Sequence, residues 1–267
     1  MEAVSTFDDA TAVESAGDHL WRSPLNPDWF GSRSPHGGHV AAQLLRAAQL
    51  EVGDAAFAPR TLTVHFTSRG APGTLELETQ VERRGRALQT VSVRGTQEGR
   101  PIAIGLAALA LDRPGAELHD ARMPEVPPPD RLAGPQHFGT RPETSPLRRA
   151  YELRFAIGTP RSGGPARAGG WVRLREPRRP DALLIAALTD IWVPAVYMSL
   201  QDASPCTTVE LTVHFLDRAE DLPPDSWFFT LFETPKAHAG YFRENGQVWS
   251  ATGRLLACSS QLGVFTG

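Results

Sequence analysis

Five positions in which apolar and polar side chains alternate, Leu62-Thr63-Val64-His65-Phe66, return letter for letter as Leu211-Thr212-Val213-His214-Phe215, an offset of 211 − 62 = 149 residues. Each copy is rich in β-branched and aromatic residues, and period-two alternation of that kind predicts a half-buried strand. The pattern continues alike around both. In the first half it predicts strands over about 60–68, 74–83, 87–97 and 102–111, with Leu75, Leu77, Thr79 and Val81 on one face of the second. Gly70–Gly73 and Arg83–Arg86 read as the turns between them. In the second half it predicts strands over about 207–217, 227–235, 240–250 and 254–266. The pairs Gly99-Arg100 and Gly253-Arg254 lie 253 − 99 = 154 residues apart, close to the first offset. The chain therefore reads as two copies of one strand-rich unit, not as the short period of a solenoid.

Between strands the period changes twice. The run Val40–Ala48 is apolar nearly all round, broken only by Gln43 and Arg46, and predicts a largely buried helix opened by Ser34-Pro35-His36-Gly37-Gly38. Two glycines at a helix N-terminus either leave backbone N–H groups open to a carbonyl oxygen or anion, or serve only close packing of helix and sheet. Asp181–Asp190 predicts a second buried helix, with Asp190 its one deep charge, followed by Ile191-Trp192-Val193-Pro194. A helix followed by an antiparallel meander, twice over, is an α+β arrangement in which each sheet must wrap its helix. Residues 1–20 are polar and give no clear element, and 21–31 mix aromatics with turn residues. Pro124, Pro127, Pro128, Pro129, Pro135, Pro142 and Pro146 exclude regular structure over most of 112–146, and alternation resumes at Tyr151–Ile157 and Trp171–Arg175. The expected division is an N-terminal unit over 1–115, a Pro-rich connector over 116–150 and a C-terminal unit over 151–267.

Composition narrows the class. A chain of 267 residues, 41% hydrophobic and 21% charged, has room for one large core or two ordinary ones. No apolar run approaches the roughly 18 residues that span a bilayer. The acidic start lacks an apolar signal core, so a cytoplasmic protein without a membrane span is expected. Cys206 and Cys258 have no metal-site spacing and read as small buried hydrophobes. A net charge of −3 gives no general reason to bind nucleic acid. Locally, residues 141–180 hold ten arginines against three glutamates, which fits either attraction of substrate phosphates or a solvated strand face.

Several chemistries lack their motifs: there is no Gly-x-Ser-x-Gly elbow, phosphate loop, dinucleotide glycine fingerprint or His-Glu-x-x-His zinc helix. His65 and His214 fall in the repeated strand and suggest a structural role in each half. Asp190 stands out, because a carboxylate in an apolar helix costs free energy unless it is paired or hydrogen-bonded, and the first helix has no equivalent acid. It is either a functional acid or a turn aspartate ending its helix before Pro194.

Asn26–Gly31, Gly37-Gly38, Arg60–Phe66, Arg83–Arg86, Asp190, Thr208–Phe215 and Trp249–Ala257 leading into Gln261, in this order, resemble the acyl-CoA thioesterase family of double-hotdog architecture, the group typified by bacterial thioesterase II. The resemblance runs from about residue 20 to the end. It implies an acyl-CoA thioesterase with a catalytic set of Asp190, Thr208 and Gln261, and substrate contacts at His36, Gly37 and Gly38. Thr207 adjoins Thr208, and a one-residue slip of the strand would exchange their faces. His36 is a departure, since an aromatic residue is expected before the glycine pair. Asp190 would act as the base on a water held by the Thr208 hydroxyl and Gln261 amide, with a main-chain N–H such as that of Gly38 receiving the oxyanion. A covalent anhydride through Asp190 stands as an alternative. No metal and no cofactor are expected, coenzyme A entering only as part of substrate or product, and exposed sheet edges favour a homodimer or higher homo-oligomer. Two rivals remain: a non-catalytic acyl-CoA binding or sensing protein, and a hotdog hydratase or dehydratase, whose Asp-x-Asn-Pro-x-His motif is absent here.

Overall fold

The computed structural model describes residues 6–31, 34–133, 146–202 and 204–266. In chain order these form α1 (Phe7–Ala10), β1 (Glu14–Gly17), β2 (Leu20–Leu25), α2 (Gly37–Val52), β3 (Ala58–Phe66), β4 (Gly73–Arg84), β5 (Leu88–Gln97) and β6 (Arg100–Ala110). The second half contributes β7 (Tyr151–Ile157), β8 (Arg167–Leu174), α3 (Ala182–Leu188), α4 (Val196–Ser199), β9 (Cys206–Phe215), β10 (Phe228–His238), β11 (Tyr241–Ser250) and β12 (Leu255–Phe265). The ten strands read from alternation are all present. The β1–β2 hairpin was not readable, because its short first strand is polar and wholly exposed.

All twelve strands belong to one antiparallel sheet in the order β1-β2-β4-β5-β6-β3-β9-β12-β11-β10-β8-β7. Each strand of the second half occupies the mirror place of its counterpart in the first, so the halves are two hotdog units joined edge to edge. The seam is the repeated pentapeptide. Leu62 pairs with Val213, Thr63 with Thr212 and Val64 with Leu211, and the two equivalent threonines meet hydroxyl to hydroxyl at 2.9 Å. The alternation that defined the repeat decides the faces: Leu62, Val64, Leu211 and Val213 are completely buried, whereas His65 and His214 face solvent.

The inner face wraps α2. Its Ala41, Ala42, Leu44, Leu45, Ala47 and Ala48 are all buried, and each such leucine contributes roughly 1.5–3 kcal/mol by leaving water. The helix of the second half is much shorter than expected. α3 has seven residues, starting where the Asp181 carboxylate accepts the Leu184 N–H at 2.9 Å. It ends where the Thr189 hydroxyl turns back onto the Ala186 carbonyl at 2.7 Å, so Asp190 lies in the turn beyond the helix, not on it. The helix N-terminal glycines do serve close packing, but of helix against helix: a Cβ on Gly38 would lie 2.5 Å from the Ala187 carbonyl oxygen of α3.

After β6 the chain runs without helix or strand to a 3-10 turn at Pro129–Arg131. Met123, Val126 and Leu132 in this stretch pack on Trp171, Phe229, Leu231 and Trp249, a small second core on the outer face of the C-terminal unit. The Trp171 indole N–H donates to the Pro127 carbonyl at 2.9 Å. Among the described residues no helix is long and apolar enough to cross a membrane.

Candidate active site

A cleft of about 730 Å³ opens where the N-terminus of α2 meets the turn after α3. Asp190, Thr207, Thr208, Gln261, His36 and Gly37 all line it, so the residues singled out from sequence converge on one cavity. Gly38 stands just behind, its N–H donating to Asp190 Oδ2 at 2.9 Å. That N–H is therefore committed to the carboxylate and not open to an oxyanion. The N–H of Gly37, one residue earlier, has no partner among the described residues. A Cβ on Gly37 would sit 2.8 Å from Asp190 Oδ2, so glycine here lets the carboxylate come down onto the helix end.

Asp190 is held on one side and open on the other. His36 Nε2 lies 2.7 Å from its carbonyl oxygen and 3.4 Å from Oδ2. Oδ1 has no hydrogen-bond partner among the described residues. Burial pushes the Asp190 carboxyl above the usual carboxylate range, and His36 and the Gly38 N–H pull it partly back. Behind His36 runs a chain that was not read from sequence: His36 Nδ1 lies 3.2 Å from His39 Nδ1, and His39 Nε2 lies 3.3 Å from the Tyr151 hydroxyl. His39 is packed among Phe7, Trp29 and Tyr151, and burial first, then His36, keep its imidazole far on the neutral side. With His39 neutral two proton orders satisfy the chain: Tyr151 O–H to His39 and His39 N–H to His36, or the reverse, with His36 donating to His39 and His39 to the Tyr151 oxygen; in both, the His36 Nε2–H goes to the Asp190 carbonyl. The signal was the His-x-x-His spacing across the first helical turn, which puts the two rings on neighbouring positions.

The opposite wall resolves the choice between the threonines. From Leu211 strict alternation would turn Val209 and Thr207 inward, but β9 pairs Leu262 with Glu210 and Gly263 with Thr208, leaving Val209 as an extra residue. This β-bulge inverts the parity, and Thr208 faces in. Its hydroxyl donates to Gln261 Oε1 at 2.9 Å, while Thr207 lies exposed at the rim. Gln261 Nε2 in turn donates to Glu244 Oε1 at 2.7 Å. Glu244, on β11, is only 2% exposed and was not singled out from sequence. The signal lay in the alternation of Phe242, Glu244 and Val248, whose flanking apolar members mark that face as the inner one.

The duplication shows how specific this wall is. β3 bulges at the same place, between Pro59 and Thr61, so Thr208 corresponds to Pro59. Gln261 pairs with Leu211 as Ala107 pairs with Leu62, and Glu244 pairs with Gln261 as Val91 pairs with Ala107. Three polar residues in the second unit thus stand where the first has Pro59, Ala107 and Val91, which cannot hydrogen-bond through their side chains.

The arginine-rich stretch is mostly spoken for. Arg149 pairs with Asp28 at 3.0 Å, Arg173 and Arg154 with Glu152, Arg167 with Glu233, and Arg178 with Asp8 and Asp181. Arg148 and Arg161 instead line the cleft. Arg148 is half-buried with no carboxylate partner among the described residues, and burial pushes its guanidinium below the ordinary arginine value. Cys206 and Cys258 are half-buried rather than buried, and burial pushes both thiols up, away from thiolate. Among the described residues no group of three His, Cys, Asp or Glu side chains is placed to hold a metal ion.

Comparison with known proteins bears on the family and the fold. Residues 25–110 match the acyl-CoA thioesterase N-terminal domain family and residues 122–265 the acyl-CoA thioesterase C-terminal domain family. An uncharacterised protein of Mycobacterium tuberculosis is 27% identical over 277 aligned positions, covering 91% of this chain and 90% of that one. A conserved protein of unknown function with the hot dog fold from Alicyclobacillus acidocaldarius superposes with a TM-score of 0.89 at 28% identity, covering 98% of both chains. An acyl-CoA thioesterase II of Mycobacterium marinum shares the fold, with a TM-score of 0.79 at 20% identity over 98% of both chains.

Proposed function

Because the chain belongs to the acyl-CoA thioesterase family, whose N- and C-terminal domains it carries in tandem, we propose that it hydrolyses an acyl-CoA to free acid and coenzyme A, with Asp190 as general base on a water. The observation that carries this reading is the split environment of Asp190: Oδ2 is fixed by the Gly38 N–H while Oδ1 is left to take a proton inside the cleft. A water between Asp190 and Thr208 gives one proton to Oδ1 and points the other at the Thr208 oxygen, whose own O–H is committed to Gln261. Its lone pair is then free to attack the thioester carbon. The uncommitted Gly37 N–H, at the positive end of α2, is the donor for the oxyanion that forms. Asp190 then returns its proton as the thiolate of coenzyme A departs. Attack by Asp190 itself, through an anhydride, is the second form of the same chemistry.

Thiol release from a panel of acyl-CoAs of increasing chain length tests the reading. Turnover on at least one member, with equimolar free acid, is expected. Tight acyl-CoA binding with no thiol released from any member would instead favour the sensing protein.

Arg148 gives a finer expectation. A partly buried guanidinium that meets no counter-charge among the described residues is suited to a phosphate oxygen. Arg148→Ala is expected to raise KM for acyl-CoA by about tenfold, the loss of one charge-assisted contact, and to leave KM for the matching acyl-pantetheine unchanged. An equal rise for both would remove the phosphate role.

A further inference from the structure

We propose that Glu244 is a positioning residue of the site: its buried carboxylate sets which way the Gln261 amide faces, and through it which way the Thr208 hydroxyl points. The inference rests on the hydrolytic reading of Asp190, Thr208 and Gln261. An ionised carboxylate only accepts hydrogen bonds. Glu244 Oε2 takes the Ala195 N–H at 2.5 Å and the Thr234 hydroxyl at 3.3 Å, and Oε1 takes Gln261 Nε2 at 2.7 Å. With its nitrogen drawn toward Glu244, Gln261 must present Oε1 to Thr208, and Thr208 must donate to it. That leaves the Thr208 lone pairs to accept from the water.

The reverse polarity weakens the reaction. If Gln261 presented its nitrogen to Thr208, the hydroxyl proton would be released into the cleft and would donate to the water. It would then engage one of the water's two lone pairs and leave the water's second O–H without its acceptor, so that the remaining lone pair is a poorer nucleophile and is no longer aimed. Nothing in packing requires an acid here, since Val91 fills the equivalent place in the first unit and is completely buried. An acid in place of that valine loses hydration, and three donors converge on it as compensation.

Protonation acts on the same hinge. Burial is the main cause that raises the Glu244 carboxyl to about 7, with the Asp190 charge adding to it and the Ala195, Gln261 and Thr234 donors opposing. Asp190 and Cys206 are the titratable groups that bear on Glu244 among the described residues, and the Cys206 thiol stays neutral over this range. A proton on Oε1 would donate to Gln261 and turn its amide over. Working polarity is thus present above about pH 7 and lost below it.

Glu244→Gln fixes the reversed state. Its oxygen must stay with the Ala195 N–H and Thr234 hydroxyl, so its NH2 faces Gln261 and flips it. We expect kcat to fall by about 10–100-fold with KM within about twofold, the range of one misdirected hydrogen bond in a transition state. The acid limb of the wild-type kcat profile should involve two protons, Glu244 and Asp190, and that of Glu244→Gln only one. A change of slope is something that mere loosening of the sheet would not produce. Independently of turnover, the side-chain amide resonances of Gln261 in the wild-type protein should shift on titration through about pH 7. Unchanged kcat and slope in the variant, or a Gln261 amide that does not titrate between pH 5.5 and 8.5, would overturn the proposal. A wild-type protein inactive on every thioester would sink the parent reading alone, since the amide titration still decides this one.

Discussion

Asp190→Asn is expected to lower kcat by about 10²–10⁴-fold with KM changed no more than a few-fold, the range for removing a positioned general base. At 1.36 kcal/mol per factor of ten this is about 3–5 kcal/mol of transition-state stabilisation. Asparagine is isosteric and its Oδ1 can take over the Gly38 N–H, while His36 keeps its hydrogen bond to the main-chain carbonyl of residue 190. The fold should survive, so the loss is readable as chemistry. The pH dependence follows the same group. A base is active only when ionised, and burial raises the Asp190 carboxyl above its ordinary value. Activity is therefore present above that raised value and disappears as the pH falls through it, at higher pH than an exposed aspartate would give. Steady-state thiol release by both proteins across pH 5–9, with melting curves alongside, makes the check. Equal turnover would remove Asp190 from the mechanism and leave the fold untouched.

A large effect on stability is expected at Gly38, the glycine at which the two helices cross. A Cβ there would stand 2.5 Å from the Ala187 carbonyl oxygen and 3.0 Å from its Cα, both backbone atoms of α3 that no rotamer change can move aside. Gly38→Ala must push the two helices apart, at a cost of about 2–3 kcal/mol for forced overpacking. For a chain of this size the melting temperature would drop by about 5–10 °C. Gly115→Ala is the control, because a Cβ there meets nothing within 4 Å, and it should melt with the wild type. Activity should fall together with stability in Gly38→Ala, since the displaced backbone carries Asp190 three residues later. A variant as stable as wild type would mean that α3 can slide without loss, and that the crossing is looser than its geometry implies.

How much of this was legible in the sequence depended on range. The strands were readable because alternation is local, and the pentapeptide announced the duplication without any structure. The extent of α3 was not, because Thr189 and Asp190 continue an apolar run while their side chains bond elsewhere, to the Ala186 carbonyl and to α2. Choosing Thr208 over Thr207 required knowing of the bulge at Val209, which exists only in the register with β12. Glu244 was hidden for a different reason. It sits between Arg243 and Asn245, so its neighbours speak for solvent, and only Phe242 and Val248 on alternate positions speak for the interior. The His36–His39–Tyr151 chain needed a contact 112 residues long and had no local signature beyond the spacing of the two histidines.

The seam between the halves has a further meaning. Leu against Val, Thr against Thr and Val against Leu are the pairs that one unit would form with a second copy of itself, because the two pentapeptides are identical and cross antiparallel at Thr63 and Thr212, the second residue of each. Only the two outer pairs of this seam, Thr61 against His214 and His65 against Glu210, tell one half from the other. At the three central pairs partner choice is therefore made by covalent linkage and not by recognition, and the polar wall that sets the second half apart lies on inward-facing positions away from them. Pro59, Val91 and Ala107 against Thr208, Glu244 and Gln261 record that division: the centre of the joining edge is the same twice, and the polar wall is present once.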